Sequence, residues 1–430
     1  MRVAIIGAYG LVGSYVSARL AADGHTVVGV GRDIEAARRR FPALTWKRAD
    51  LATASAADWA RVLDGVEAVI NCAGALQDSP RDNLNAVHVE GVRRLVQACQ
   101  ELGLGRLVHI SAAGVGPDRS TAFNATKLQA ETLLAQSPLA WIILRPGLVF
   151  APAAYGGTAL LRGLAGFPGA TPLVFPDSLV QTIGAEDLAV AVARCLAPDA
   201  PVRVTLDLVH DEALTLNDLV SRLRRWLGLG PVPTIRLPLL LARATAAASD
   251  GLAWLGWRSP MRTAALEQLR MGVRGRAKDA ERLGLALRSF DALLAAAPSG
   301  VQERWFARFY FAKPAILTCL FAFWLLSGLI GMTVGFEAAV AVLTASGMEA
   351  GPATAAVVAG SLIDISLALL LAWRPTAARA LQGMLLITAG YLIGGALVRP
   401  DLWLDPMGPL LKSIPAAFLA LAALATLDER

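Results

Sequence analysis

The chain has few residues of the types that build metal centres and disulfide frameworks. It holds four cysteines and four histidines in 430 residues. The cysteines, Cys72, Cys99, Cys195 and Cys319, are far apart and form no Cys-x-x-Cys pair, which argues against a zinc knot and favours a reducing compartment. The histidines form no ligand-like pair, so we expect no metal site.

Charge is also scarce. Charged residues make up 17% of the chain and hydrophobic residues 55%, with a mean hydropathy of +0.52. This composition excludes a disordered or collagen-like chain and is too apolar for a wholly soluble protein. The net charge of +6 resides in the first 300 residues, because residues 301–430 carry eight basic and eight acidic side chains. We expect no nucleic-acid partner.

Short β-branched runs alternate with helical stretches over the first 150 residues, which predicts an α/β, Rossmann-like, doubly wound parallel sheet. The predicted strands are 2–6, 26–30, 44–48, 67–71, 106–111 and 140–145. The predicted helices are 10–23, 34–41, 56–64, 83–102, 120–136 and, later, 215–227. Proline and glycine become frequent from about residue 150, which is typical of a loop-rich substrate region.

Four apolar segments follow, at 314–335, 353–373, 379–398 and 407–427. Each is near the length that crosses a bilayer and lacks a polar face, so the sequence predicts an all-α four-helix transmembrane bundle over 314–430. Aromatic and basic residues at 296–313 indicate an interfacial linker.

The charges of the connecting loops predict the orientation. The loop after the first predicted span carries Glu337 and Glu349, and the next loop carries Arg374 and Arg379. The positive-inside rule then predicts a multi-pass protein of the cytoplasmic (inner) membrane with both termini in the cytoplasm. The start of the chain lacks the pattern of a cleavable signal, which agrees with a cytoplasmic first residue.

Two further features of the apolar regions call for an interpretation. The stretch 235–257 is interrupted by Arg243 and Asp250, which indicates either an amphipathic helix on a protein or membrane surface or a buried helix. Asp364 lies in the middle of the second span. A carboxylate there needs a partner or a polar cavity, and either a functional role or packing by helix hydrogen bonds fits it. The candidate partners are Ser361, Ser366, Gln382, Thr388 and Tyr391.

A glycine-rich turn directly follows the first predicted strand. It reads Gly7-Ala8-Tyr9-Gly10-Leu11-Val12-Gly13. Glycines in this position allow a tight turn and a close approach of a pyrophosphate to the amide groups at a helix N-terminus. The strand before the turn and the helix after it make a dinucleotide site the predicted function of the turn.

The ends of the following strands supply more candidate cofactor ligands. Arg32 follows the second strand and suits the 2′-phosphate of NADP, whereas its neighbour Asp33 suits the ribose diol of NAD. We therefore expect NADP, with NAD the less favoured cofactor. The third and fourth strands lead to small and polar residues at the same sheet edge, namely Asp50, Leu51, Cys72, Ala73 and Gly74.

Together with Ser111, Lys127, Glu131 and Arg145-Pro146-Gly147, these residues make 1–295 resemble an atypical or extended short-chain dehydrogenase/reductase. The resemblance is to the branch that includes the NADH-dehydrogenase accessory subunit with a nucleotide-binding fold. The block 314–430 resembles the DoxX-like membrane family. The resemblance implies NAD(P) binding, with Lys127 and Pro146 among the cofactor contacts, and it makes Ser111 and Lys127 the candidate catalytic groups.

One residue departs from the reductase pattern. That family uses a Tyr-x-x-x-Lys pair in which the tyrosine supplies the proton, and this chain has Phe123 four residues before Lys127. A benzene ring exchanges no proton. Lys127 can still bind ribose, and Ser111 can bind the cofactor or cap a strand end; Tyr155 and Thr126 lack the spacing to replace the phenol.

Three functions are consistent with this sequence. The first is a membrane-anchored NAD(P)(H)-binding protein with a structural, sensing or redox-linked role beside a membrane-protein partner. The second is an oxidoreductase that reduces a quinone or an isoprenoid-type lipid-soluble substrate, with water in place of the tyrosine. The third is a transport or scaffold bundle with a degenerate nucleotide-binding regulator.

Overall fold

Parallel strands form one continuous sheet in the first half of the chain. The computed structural model describes residues 1–79, 82–118, 121–406 and 408–427. The strands are β1 Arg2–Ile6, β2 Thr26–Gly31, β3 Thr45–Arg48, β4 Ala68–Asn71, β5 Arg106–Ile110, β6 Trp141–Pro146, β7 Leu148–Phe150, β8 Thr171–Leu173, β9 Leu179–Gly184, β10 Val204–Leu208, β11 Ala213–Thr215 and β12 Thr234–Arg236.

The main sheet has the order β10-β6-β5-β4-β1-β2-β3, and its neighbouring strands are parallel. The chain winds outward from β1 in both directions, so the predicted doubly wound sheet is confirmed. Ile5 pairs with Gly29 of β2 on one side and with Ile70 of β4 on the other. A crevice opens beyond the carboxyl ends of β1 and β4, where the strand order reverses.

Each predicted strand of this sheet is found within one residue of its predicted ends. The prediction succeeds because strands covered on both faces consist of nearly continuous apolar residues. Along β1, Val3 and Ile5 pack into the core on one face, and Ala4 and Ile6 pack into the core on the other.

Helices cover both faces of the sheet and continue to the C-terminus. They are α1 Leu11–Ala22, α2 Ile34–Arg40, α3 Ala56–Val62, α4 Gly91–Glu101, α5 Ala122–Ala135, α6 Gly156–Gly166, α7 Ala185–Arg194, α8 Leu216–Trp226, α9 Leu239–Trp254, α10 Thr263–Met271, α11 Phe290–Ala296, α12 Val301–Met332, α13 Phe336–Thr344, α14 Ala350–Ala372, α15 Ala377–Val398 and α16 Ser413–Ala425. Polar caps start several of them; the Ser55 hydroxyl, for example, accepts from the backbone N–H of Asp58 at the start of α3.

The predicted helix over 83–102 is interrupted. A π-helical turn, Asn85–Glu90, precedes α4. Turns of this kind are rare and are frequent at functional sites. The predicted helix over 215–227 is confirmed as α8, which packs with Phe150 and Phe290 in a core separate from the main sheet. Two smaller sheets, β11-β9-β7 and β12-β8, belong to this region.

The chain divides into two compact units. The first comprises Met1–Asp250 and Pro260–Ala307, and the second comprises Gly251–Ser259 and the chain from Arg308 onwards. The stretch 235–257 forms β12 and the helix α9. Small residues on one side of α9 are buried, whereas Leu240 and Trp254 are 81% and 74% exposed. This helix is therefore a surface helix with an apolar exposed face, and the buried-helix alternative is wrong.

Three helices of the described chain are long and apolar enough to cross a membrane: α12, α14 and α15. The first predicted span is longer than expected, because α12 starts at Val301 and includes most of the predicted linker, with Pro314 inside it. The predicted loop after it contains α13. The fourth predicted span, 407–427, was wrong in length: α16 has 13 residues and extends about 20 Å at 1.5 Å per residue, short of a full bilayer.

Candidate nucleotide site

The turn between β1 and α1 is a cradle that only glycine can form. Gly7 has a φ of +75°, which L-residues rarely adopt. The Gly10 N–H donates to the Gly7 carbonyl at 2.9 Å. A Cβ added to Gly13 would lie 2.2 Å from that same carbonyl oxygen. The backbone of α1 therefore packs directly on the turn.

The start of α1 is suited to an anion. Gly10 is its N-cap, no side chain among the described residues caps it, and its first turn carries no acidic residue. The amide groups of the first turn and the helix dipole then favour a phosphate. The sequence from Tyr9 through Leu11 and Val12 to Gly13 thus fits the pyrophosphate of a dinucleotide.

The structure brings the other predicted ligands to this turn. A Cβ on Gly7 would lie 3.1 Å from the Cα of Ala73, and one on Gly74 would lie 3.3 Å from the Lys127 Nζ. The segment after β4 and the lysine of α5 therefore meet the glycine turn at one sheet edge. Cys72 lies in the same segment, and burial raises the pKa of its thiol to about 12, so it stays uncharged.

The end of β2 carries the groups that would meet the adenosine. A Cβ on Gly31 would lie 2.3 Å from the Tyr9 ring, so that ring covers the strand end. The Arg32 guanidinium forms a salt bridge with Asp82 at 2.8 Å. The carboxylate of Asp33 caps α2 by accepting from the Ala36 N–H at 3.1 Å. The sequence offers Arg32 and Asp33 as candidate ligands of the adenosine ribose. The carboxylate of Asp33 already serves as the N-cap of α2.

The remaining predicted ligands have structural contacts of their own. Asp50 accepts from the Ala52 N–H at 3.0 Å. Leu51 is buried against the backbone of Gly91. Pro146 ends β6, and its carbonyl accepts from the Ala113 N–H at 2.9 Å.

Lys127 is a buried cation. Its Nζ donates to the Ile110 carbonyl at 3.0 Å, and the side chain is 5% exposed. Burial lowers the pKa of this ammonium to about 8, while Glu131 and Cys72 act in the opposite direction. Lys127 is therefore mostly charged at neutral pH and has donors left for a ribose hydroxyl.

The reductase resemblance makes Ser111 a candidate catalytic group, but the structure engages its hydroxyl with another side chain. Its hydroxyl donates to Glu131 at 2.5 Å. Glu131 also forms a salt bridge with Arg145, and the same guanidinium lies 4.0 Å from Asp207. The predicted catalytic serine is thus part of a buried ionic network.

Phe123 occupies the position of the absent phenol and packs against His88. The two rings meet edge to face with centroids 5.9 Å apart. The His88 Nε2 accepts from the Ala75 N–H at 3.1 Å, and its Nδ1 lies 3.0 Å from the Thr126 Oγ1. Burial and the nearby Lys127 charge lower the pKa of His88 to about 3, so the imidazole is neutral and both of its nitrogens are engaged.

Sequence reasoning missed His88 and Asp82. His88 lies in the π-helical turn, which has no sequence signature that we can recognise. The only available signal was its rarity, because the chain has just four histidines. Asp82 is 50 residues from Arg32 and reaches it only through the fold.

Two family models match the chain. Residues 7–171 match the NAD(P)H-binding family, and residues 321–421 match the DoxX-like family. The chain joins an NAD(P)-binding domain to a DoxX-like domain. This architecture confirms the resemblance read from the sequence, and the DoxX-like match with its apolar helices identifies a membrane protein.

Solved structures share the fold of the NAD(P)-binding domain. An NADPH-dependent quinone oxidoreductase from Escherichia coli is 20% identical with a TM-score of 0.52, covering 68% of this chain and 98% of that one. A Citrobacter triphenylmethane reductase complexed with NADP(H) is 16% identical with a TM-score of 0.54, covering 69% of this chain and 100% of that one. The Bordetella bronchiseptica enzyme WbmG in complex with NAD is 17% identical with a TM-score of 0.52, covering 69% and 92%.

Curated relatives are uncharacterised. Proteins of Mycobacterium tuberculosis and Mycobacterium bovis are 27% identical over 243 residues, which are 56% of this chain. The match spans a quarter of the relatives' own length.

Replacement of Gly13 by alanine tests the cradle. The added methyl would overlap the Gly7 carbonyl, so the turn must shift. The backbone amide groups expected to bind the pyrophosphate would shift with it. We expect NADPH affinity to fall at least tenfold in a fluorescence titration. Gly230→Ala is the control, since a Cβ there meets no atom within 4 Å. Unchanged binding by Gly13→Ala would place the pyrophosphate elsewhere.

Replacement of Lys127 by methionine separates binding from stability. The unfolded chain binds a proton at Lys127 up to a pH near 10.5, and the folded chain only up to about 8, so the buried charge destabilises the nucleotide-free protein at pH 7. We expect Lys127→Met to raise the free energy of unfolding by about 3 kcal/mol at pH 7, with the gain vanishing above pH 10.5, and to lower NADPH affinity about tenfold. Thermal unfolding and binding titrations measure the two effects.

The exposed Lys278 provides the control for this substitution, because Lys278→Met should change neither quantity. A Lys127→Met protein that is less stable than the parent at pH 7 would contradict the predicted destabilisation by the buried charge. One that binds NADPH as well as the parent would contradict the assigned role of Lys127 in binding.

Proposed function

We propose that this protein is a membrane-anchored NADP(H)-binding protein in which the nucleotide has a structural, sensing or redox-linked role at the cytoplasmic membrane. The observation that carries the proposal is that the glycine cradle is intact, whereas Phe123 stands where the reductase pattern has tyrosine. The residues that we assign to dinucleotide binding lie together at one sheet edge, and a hydrocarbon ring stands where the reductase pattern has the proton donor.

The binding half of the proposal follows from the residues at the sheet edge. The N-terminus of α1 neutralises the pyrophosphate, and Lys127 donates to the nicotinamide ribose. Gly74 leaves room beside the lysine, since its missing side chain would contact both Lys127 and His88. When bound, the nicotinamide would supply a two-electron hydride couple.

The neighbours of Phe123 do not replace the missing acid. His88 has a pKa of about 3, and its Nε2 accepts a backbone N–H, so it offers no proton there at neutral pH. The Ser111 proton is directed to Glu131. Lys127 is the charged hydrogen-bond donor among the described residues around Phe123. Its ammonium already donates to the Ile110 carbonyl.

Arg32 supports NADP over NAD. A guanidinium at the end of β2 can bind a 2′-phosphate with two hydrogen bonds. The acid that would favour the ribose diol of NAD, Asp33, is engaged in capping α2. Asp82 competes with a 2′-phosphate for Arg32. It therefore weakens the preference for NADP over NAD that Arg32 creates.

Paired substitutions test this assignment. Arg32→Ala should lower NADPH affinity at least tenfold and leave NADH affinity unchanged, because charge-assisted hydrogen bonds to the 2′-phosphate are lost. Asp82→Asn should raise NADPH affinity several-fold without changing NADH affinity, because the competing carboxylate is neutralised. Calorimetric titration with both nucleotides measures the effects.

Arg38 is the matched control, since it is an exposed arginine of the adjacent helix α2 that pairs with Glu35. Arg38→Ala should bind both nucleotides normally. Equal losses for NADPH and NADH in Arg32→Ala would show that Arg32 maintains the fold rather than recognises the phosphate.

The proposed orientation places the NAD(P)-binding domain and both termini in the cytoplasm. Its support is the charge of the loops and helix ends: α13 and the turn after it carry Glu337 and Glu349, whereas the α14–α15 connection carries Arg374 and the first turn of α15 carries Arg379. A cytoplasmic domain also has access to the soluble nucleotide pool.

An NAD(P)H-dependent oxidoreductase for a quinone or an isoprenoid-type substrate is the second candidate. It is favoured by the DoxX-like membrane domain, which gives the chain access to lipid-soluble molecules, and by the shared fold with a quinone oxidoreductase. A quinone ring can take its proton from water after hydride transfer, so the absence of a phenol at Phe123 is compatible with this reaction.

One experiment distinguishes the two candidates. The full chain is purified gently, any bound nucleotide is identified by mass spectrometry, and NADPH oxidation is followed after addition of decylubiquinone. We expect bound NADP(H) and oxidation no faster than that of the Lys127→Met variant. Enzyme-like oxidation that Lys127→Met abolishes would favour the oxidoreductase, and absence of binding by either nucleotide would refute both candidates.

A further inference from the structure

The helix α9 exposes a row of uncharged residues along its whole length. Leu240, Ala244, Ala247, Gly251 and Trp254 follow one another at alternating spacings of four and three residues, and all of them are exposed. Residues with this spacing lie above one another on a single side of a helix. We call them the α9 row. Two further exposed leucines, Leu241 and Leu252, lie beside it.

The charges of α9 leave this row apolar. Arg243 and Asp250 are the charged residues between 239 and 254. The Asp250 Oδ1 accepts from the Gln77 amide at 2.8 Å and from the Arg262 guanidinium at 3.0 Å, so this carboxylate is bound to other parts of the protein. Arg243 is exposed at the edge of the row. The row therefore offers hydrocarbon in its middle and one cation at its side.

The turn that follows α9 is bound to the connection between two membrane-spanning helices. Gly251–Ser259 belong to the same compact unit as these helices. The Trp257 indole N–H donates to the carbonyl of Ala372, the last residue of α14, at 2.7 Å. The backbone N–H of Arg374 donates to the Leu255 carbonyl at 2.9 Å, and the Arg374 guanidinium lies over the Trp257 ring. These contacts fix the end of α9 at the α14–α15 connection.

That connection marks the boundary of the membrane. α14 ends at Ala372 and α15 begins at Ala377, and both helices are long and apolar enough to cross a bilayer. The chain between two spans lies where hydrocarbon meets water, because its backbone is not satisfied by a helix. Tryptophan and arginine side chains are typical of this layer. The end of α9, with Trp254, is therefore at the depth of the lipid headgroups.

The position of α9 distinguishes between the possible partners of the row. Contiguous apolar surface on a protein marks a contact with another protein or with a membrane. A helix that is attached at a membrane boundary and carries hydrocarbon on its exposed side meets lipid without any further component. An arginine beside such a face can extend its stem over the hydrocarbon and keep its charge among the headgroups.

We propose that α9 is an interfacial helix whose exposed row lies in the boundary between the headgroups and the acyl chains of the membrane that the DoxX-like domain crosses. Leu240 and its neighbours contact acyl chains, Trp254 lies at the headgroup level, and Arg243 binds lipid phosphate. The partner of this surface is the lipid bilayer itself. The proposal does not depend on nucleotide binding or on turnover.

The test uses the full chain in lipid nanodiscs with one nitroxide label at a time. Cys72 and Cys319 are first replaced by serine, which leaves the two buried cysteines. Labels are then attached after Leu240→Cys or Ala247→Cys in the row, and after Gln100→Cys as the reference, since Gln100 is an exposed residue of α4. Power saturation compares collisions with oxygen, which concentrates in lipid, and with a nickel chelate, which stays in water.

We expect the labels of the row to lie about 5–10 Å inside the headgroup boundary, as interfacial helices do. Their ratio of oxygen to nickel collisions should be severalfold higher than that of the Gln100 label. A ratio equal to that of the Gln100 label would show that the row faces water and would overturn the proposal. Exclusion of both reagents would overturn it too, because it would show that protein, such as a second copy of the chain, covers the row.

A charge in the row provides the second test. Ala244→Glu places a carboxylate between Leu240 and Ala247, and it should lower the collision ratio of the Ala247 label severalfold, because a charge resists transfer into lipid. Glutamate is a good helix former, so α9 should persist. Ala60→Glu is the matched control, since Ala60 is an exposed alanine of α3, and it should leave the ratio unchanged. An equal ratio in Ala244→Glu and Ala60→Glu would contradict the proposal.

Discussion

The contact between Gly13 and the Gly7 carbonyl is the constraint on which the nucleotide site depends. It fixes the first turn of α1 against the end of β1, at the point where the strand order of the sheet reverses. The amide groups at the start of α1 are thereby held at that sheet edge. The Ala73 backbone lies at the same edge, so close to Gly7 that a side chain at position 7 would have no room.

Around this turn, among the described residues, one buried cation, Lys127, lies near a carboxylate and an imidazole that have hydrogen-bond partners of their own. The Lys127 ammonium is buried, and burial lowers its pKa to about 8. The carboxylate nearby, Glu131, is committed to Ser111 and Arg145. Phe123 packs against a neutral imidazole. This pattern of charge and hydrogen bonding is the support for the proposed role, in which the nucleotide is held rather than reacting.

The sequence predicted those features that local physics determines. Buried parallel strands require apolar runs, and a backbone with positive φ beside a helix start requires glycine, so β1–β6 and the turn from Gly7 to Gly13 were found. The π-helical turn with His88 and the Arg32–Asp82 salt bridge depend on distant parts of the chain and were missed. The length of α16 was wrong because hydropathy does not reveal where a helix starts, and Pro409 and Pro415 lie within the predicted span.

Two of the buried acidic side chains in the described part of the chain, Glu131 and Asp364, differ in the partners that compensate them. Glu131 faces the guanidinium of Arg145, which donates to both of its carboxylate oxygens. Asp364 forms no salt bridge within the described part of the chain and accepts from two neutral hydroxyls. Neutral donors compensate a charge less fully than a cation does.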